Sequence, residues 1–211
     1  DRCTKKHVVA QDLTGGIQFS GNWGVMKGNP PPLLPVNPFL IKKSSMKTPS
    51  QPSRPLVSQT NSEATLWVGH VQNDPNDHLA GQTFRAPDGG TIDTIQVLTS
   101  AITQGGELEL TLFEFDESGH RWGNPLGSRR LTLEKKDSGK WISFSLDPVE
   151  LEPGTSYGFR LHTDNGLIGL GEAVSHAHRP FPFGEAWSSH MAGAGHFYRY
   201  FSLAFKVELR A

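Results

Sequence analysis

His176 and His178 are separated by one residue. In an extended chain that spacing puts both imidazoles on one side, and a zinc or copper site uses this arrangement when a third ligand folds in. His190 or His196 would be that third ligand. Both lie in Gly171–Phe197, a stretch without strand periodicity that reads as one long loop, and long loops in compact domains carry function or are disordered. An ordinary His-rich surface loop packed by Phe181, Phe183 and Trp187 is the competing reading. The same stretch holds Glu172, the one carboxylate whose neighbourhood invites a test for acid–base chemistry.

A second cluster, Asn73-Asp-Pro-Asn-Asp77, gathers oxygen ligands before an apolar run. Asp74, Asn76 and Asp77 suit a structural calcium ion, although Asn, Asp and Pro are also the residues that turns prefer. The spacing lacks the Gly and Glu of an EF-hand loop. A third group is aromatic. Trp122 in His120-Arg-Trp-Gly-Asn124 and Trp187 in Phe183-Gly-Glu-Ala-Trp187 sit in turn-like sequence. Aromatics presented by loops on a rigid scaffold suit stacking on the apolar faces of sugar rings; the alternative is that they cap the open ends of a core. Tyr198 joins them as a further aromatic, and Asn124, Glu185 and Arg199 stand beside them as polar readers of hydroxyl groups.

Motifs for catalysis are absent. There is no nucleophile elbow and no phosphate loop. Glu107/Glu109 and Glu150/Glu152 fall on the solvent side of strands or turns, without an apolar pocket to raise a pKa. Cys3 is the one cysteine, so an internal disulfide is excluded; an unpaired thiol, an intermolecular bridge or a lipid attachment are its alternatives. The chain starts with Asp1 rather than Met, and the expectation is that an N-terminal piece, such as a signal peptide, has been removed.

The elements that must position these groups are strands. Ile142, Phe144 and Leu146 alternate with Ser143 and Ser145; after Pro153-Gly154, Tyr157, Phe159 and Leu161 alternate again. Strands are expected at Ala64–His70, Leu79–Phe84, Thr91–Thr99, Glu107–Phe115, Ser128–Glu134, Lys140–Leu146, Ser156–His162, Leu167–Gly171 and Tyr198–Leu209. Turn signals such as Pro87-Asp88-Gly89-Gly90 and Asp164-Asn165-Gly166 separate them. In Glu107–Phe115, Leu108, Leu110 and Leu112 share one face while Phe113 and Phe115 take the other, which requires a bulge or a sheet covered on both sides.

Residues 28–56 hold eight of the fifteen prolines, including Pro30-Pro31-Pro32, and read as an extended, polyproline-like arm. A short hairpin is expected at Gly16–Val25, and the apolar run Leu33–Ile41 is expected to dock on a surface. Residues 1–56 carry eight Lys/Arg and two Asp, whereas residues 57–211 carry twelve Lys/Arg and nineteen Asp/Glu. A basic arm and an acidic body attract each other. The basic residues lack a helical face or interleaved aromatics, which argues against nucleic acid, and no run approaches a membrane-spanning helix.

Ala80-Gly-Gln-Thr-Phe84, Trp141-Ile-Ser-Phe144 and Leu151-Glu-Pro-Gly-Thr-Ser-Tyr157 with Phe159-Arg-Leu161 resemble secreted bacterial β-sandwich modules. Those modules occur as accessory domains beside glycan-active enzymes, adhesins and surface-anchored proteins. The resemblance covers about residues 64–211 and implies a jelly-roll-like fold, an extracellular setting and a carbohydrate-binding role.

The expected protein is therefore all-β: an antiparallel β-sandwich of jelly-roll type over 60–211, preceded by an extended Pro-rich arm over 1–59. Its expected function is a non-catalytic, secreted or cell-surface module that binds a glycan or cell-surface polysaccharide. The alternative is a structural subunit of an extracellular assembly, a homo-oligomer in which residues 1–56 lie on a neighbouring copy.

Overall fold

The computed structural model describes residues 53–74, 76–191 and 194–211, without the side chains of Met191 and Ala194. The hairpin expected at 16–25, the run 33–41 expected to dock on a surface, Cys3 and all but the last few residues of the segment 1–56 expected to form a homo-oligomer lie outside the described residues. No described helix is long and apolar enough to cross a membrane.

Antiparallel strands make up about two thirds of this region. They are β1 (Ser53–Gln59), β2 (Ala64–His70), β3 (Asp77–Arg85), β4 (Gly90–Gln104), β5 (Gly106–Asp116), β6 (Arg121–Leu133), β7 (Trp141–Ser145), β8 (Glu150–Leu151), β9 (Ser156–His162), β10 (Leu167–Val174), β11 (Ala186–Met191), β12 (Ala194–Tyr198), β13 (Phe201–Leu203) and β14 (Phe205–Arg210). One 3-10 turn, Lys135–Asp137, is the only helical element among the described residues. The all-β sandwich expected from the sequence is the fold observed.

The strand order β1-β14-β4-β10-β2-β3-β9-β5-β6 curls into two facing layers. The long strand β4 makes the bend: Ile92–Val97 pair with β14, whereas Thr99–Gln104 pair with β10 across register shifts. Phe205 on β14 closes the core between the layers, with ring centroids 5.6 Å from Phe159 on β9 and 6.5 Å from Phe84 on β3. All three rings are fully buried with Leu108, Leu110 and Leu112. Truncating such a ring to alanine costs about 3–5 kcal/mol. Gln82 is polar yet fully buried, and its carbonyl accepts from Ser202 Oγ (3.2 Å) and Leu203 N (2.9 Å) while its amide donates to Thr83 O (3.0 Å). That pairing joins β3 to β13 without leaving Gln82 unsatisfied.

Strands β2 and β9 match their sequence expectations residue for residue. Four differences have physical reasons. First, Ser53–Gln59, placed by sequence in the arm, forms β1 and pairs with β14. Its one proline, Pro55, is tolerated because it is an edge strand with a register shift at Pro55/Val57. Second, the single strand expected over Tyr198–Leu209 is three. Tyr198 ends β12, β13 pairs with β10, and at Ala204 the chain crosses so that β14 pairs with β4. Third, Gly171–Phe197 is not one loop: it holds the end of β10, all of β11 and most of β12. Fourth, β6 begins at Arg121, so Trp122 lies on a strand. The bulges of the β5–β6 pair fall in β6, leaving the alternation of β5 intact, so Phe113 and Phe115 face a covered outer surface.

Candidate ligand-binding cleft

The outer face of the layer β11-β3-β9-β5 carries most of the chemistry that the sequence singled out. The strand register explains why. Trp187 pairs with Gly81, Gly81 with Arg160, and Arg160 with Thr111, so these four residues form one row across the layer. The Arg160 guanidinium lies 4.6 Å from the Trp187 ring centroid and 5.9 Å from that of Trp122. The two indoles meet edge to face at 5.5 Å. Both sit over glycines: a Cβ at Gly195 would come within 2.3 Å of Trp187, and one at Gly158 within 2.7 Å of Trp122. Trp187 is only 3% exposed. The expectation that it is an open platform for sugar stacking is thereby corrected. Its strand, a cation on its face and a glycine beneath it make it part of the packing on the outer face of the layer. Trp122 is half-buried, and its indole Nε1 is buried without a hydrogen-bond partner.

Beyond this aromatic row lies an open cleft of about 340 Å³ with Thr83, His120, Phe183, Glu185, Arg179 and Arg199 on its walls. Glu185 is its fixed point. Its backbone is clamped by Thr83, whose amide donates to Glu185 O (2.9 Å) and whose hydroxyl accepts from Glu185 N (2.8 Å). Its side chain is 12% exposed and bonded on both oxygens, to His120 Nε2 (3.1 Å) and Arg199 Nε (3.1 Å). His120 is aimed by a tight turn. Asp116 accepts from Ser118 Oγ (2.6 Å), Gly119 N (3.0 Å) and Arg121 Nη2 (3.1 Å), and these donors, Ser118 first, hold its carboxyl far below the usual carboxylate range. The turn places His120 at φ +47°, a left-handed conformation uncommon for a residue with a side chain. Such conformations concentrate at functional sites. The His120 ring then packs on Phe197, with centroids 5.2 Å apart.

At the rim, Phe183 is 59% exposed, the most exposed large apolar side chain among the described residues. Arg179 is exposed beside it and makes no ion pair among the described residues, while Arg85 Nε donates to Gly154 O (2.9 Å). The cleft thus combines a pre-oriented carboxylate, several guanidinium and imidazole donors, and one free aromatic face.

Of the sequence-derived ligand residues, Glu185 and Arg199 meet here. Asn124 does not: it lies on exposed β6 with a long contact to Glu114 (3.5 Å). Tyr198 is turned to a separate pocket, with Glu172. His120, Phe183 and Arg179 were missed as site residues. A Ser-Gly turn just before His120 was the available signal.

The metal expectations fare differently from the cleft. Asp74 spends one oxygen on Asn76 N (3.0 Å) and Asn76 Nδ2 (3.3 Å) and the other on His78 Nε2 (2.9 Å), which lowers its pKa, the Asn76 amide contributing most. Asp77 turns instead to His70 Nδ1 (3.2 Å). The expected calcium cluster of Asp74, Asn76 and Asp77 is thus a hydrogen-bonded turn. His178 Nδ1 rests 3.4 Å from Ser175 Oγ, and His190 Nδ1 lies 3.0 Å from His78 Nδ1. His176 and His178 therefore do not converge with His190. Among the described residues no three His, Cys, Asp or Glu side chains come together as metal ligands.

No family model matches the chain, and no curated protein is similar to it.

Proposed function

We propose that this protein is a non-catalytic, secreted or cell-surface carbohydrate-binding protein, and that the cleft around Glu185 holds the glycan. The single observation that supports this most is the fixing of the Glu185 carboxylate from both sides, by His120 and Arg199 at 3.1 Å each, in a cleft that the exposed Phe183 ring also lines. Sugar recognition needs rigid acceptors and donors for hydroxyl groups and an apolar ring for the C–H face. Glu185 supplies the acceptor, Arg199 and His120 retain donors, and Phe183 supplies the ring. A carboxylate held in place by two donors suits orientation of a ligand rather than proton transfer. The arrangement also agrees with the resemblance to secreted accessory modules.

The test is a glycan array with the full chain, followed by calorimetry on the strongest ligand. Glu185→Gln and Phe183→Ala are each expected to weaken binding by about 10- to 100-fold, the size of a lost charge-assisted hydrogen bond or stacking contact. A ligand that binds equally to both variants would place the glycan site elsewhere, and the absence of any glycan ligand would defeat the reading.

A further inference from the structure

A second pocket, of about 130 Å³, opens between the edge of the β11–β12 hairpin and the strands β2, β10 and β13. Its walls include Leu66, Ala186, Ser188, Tyr198 and Phe201. The only acid on them is Glu172, which is 8% exposed. The Glu172 main chain is fully used in the ladder, since its residue faces Ala64 on β2 and Leu203 on β13. Its carboxyl group has no hydrogen bond or ion pair among the described residues. Burying a carboxylate in this way carries a large desolvation cost that natural structures offset with a partner. Burial accordingly pushes the carboxyl up to about 7.

The walls define what the missing partner is. Tyr198 and Phe201 stand edge to face, 5.6 Å apart at 80°, so they present one ring face and one ring edge around the same small space. Aromatic faces attract organic cations, and a carboxylate completes that attraction. The volume matches a small group: an engineered cavity of about 150 Å³ accepts benzene. Among the pocket walls Tyr198 is the only other titratable group, and Glu63, in the segment between β1 and β2, has its carboxylate against Val174 N (3.4 Å). No cation of the described residues therefore competes for Glu172.

We propose that the Glu172 pocket is a binding site for a small organic ammonium group, recognised by the Glu172 carboxylate and the rings of Tyr198 and Phe201. This site is separate from the Glu185 cleft and does not depend on glycan binding there.

The probes are choline and its neutral isostere 3,3-dimethyl-1-butanol, titrated into the full chain and followed by NMR. At about pH 8, where Glu172 is mostly ionised, choline is expected to bind at least about tenfold tighter than the isostere. Lowering the pH to about 5.5 protonates Glu172 and is expected to weaken choline about tenfold while leaving the isostere unchanged. Glu172→Gln, which keeps the shape, should remove both the selectivity and the pH dependence, and Tyr198→Ala should weaken choline with the pH dependence intact. Equal binding of the two probes, binding of neither, or selectivity that survives Glu172→Gln would overturn the proposal. The comparison of the two probes on the unmodified chain decides the matter even if a variant fails to fold.

Discussion

Two glutamates in one sheet system meet opposite surroundings. Glu185 lies in an open cleft, yet both its oxygens are engaged, by His120 and Arg199. Glu172 is more deeply buried and has no partner among the described residues. The first environment supports a charge and fixes its direction. The second opposes a charge and leaves the carboxyl waiting for one. The difference does not follow from residue type or from nearness in sequence; it follows from which strand each residue joins. Glu185 follows a turn whose backbone Thr83 clamps. Glu172 faces inward at the place where β10 is shared by β2 and β13. An acid becomes a hydrogen-bond fixture or a latent ionic site according to the partners that the ladder brings to it.

The largest effect expected is in the aromatic row beside the cleft. Trp187→Ala should destabilise the fold by about 3–5 kcal/mol, as for a buried aromatic truncation. Denaturant unfolding measures it, and a loss below about 1 kcal/mol would mean that Trp187 is a ligand platform after all. Next, Gly158→Ala puts a Cβ within 2.7 Å of the Trp122 ring and 2.9 Å of Gln82 O. Its expected cost is about 1–3 kcal/mol by overpacking, and because backbone stands on one side, the indole has to move and the cleft with it.

The third prediction sharpens the contrast directly. The folded-state pKa of Glu172 is raised from 4.5 to about 7 by burial. Below the unfolded-state value the carboxyl is protonated in both states, and it does not oppose folding. As pH rises through about 7 the folded state must ionise a buried group, and that stability is lost. Relative to the unmodified chain, Glu172→Gln should therefore gain roughly 1–3 kcal/mol between acidic and mildly alkaline pH. Parallel stability curves for the two proteins across that range would show that Glu172 is solvated. The smallest effect expected is on stability at the cleft: Glu185→Gln should cost about 1 kcal/mol or less, since the amide oxygen still accepts from one donor.

Much of the sandwich was legible in the chain because its signals are local. Alternation in Ser156–His162 and the Pro-Gly break before it needed no distant partner, and β9 forms over the expected residues. The β11–β12 hairpin was not legible. Ala186-Trp-Ser-Ser-His-Met191 does not alternate in polarity, and what makes it a strand is pairing with β3, more than a hundred residues away. Trp187 looked like a loop aromatic for the same reason: Arg160, which lies over it, is reachable only through that pairing, and Gly195 only through the β11–β12 hairpin. The cleft was half legible. Glu185 and Arg199 could be named from polar residues beside aromatics, but His120 depends on the Asp116 turn, and the two-sided hold on Glu185 depends on β11 lying along β3. Glu172 could be picked out as an isolated carboxylate, whereas its burial arises from β10 being shared by two partners.

The most direct test of the division between the two acids is calorimetry of one glycan ligand against three full-length proteins: unmodified, Glu185→Gln and Glu172→Gln. The account predicts binding to the unmodified chain, a loss of about 10- to 100-fold in Glu185→Gln, and an affinity within about twofold of the original in Glu172→Gln. Retained binding in Glu185→Gln together with loss in Glu172→Gln would contradict it, and would move the glycan from the open cleft to the buried acid.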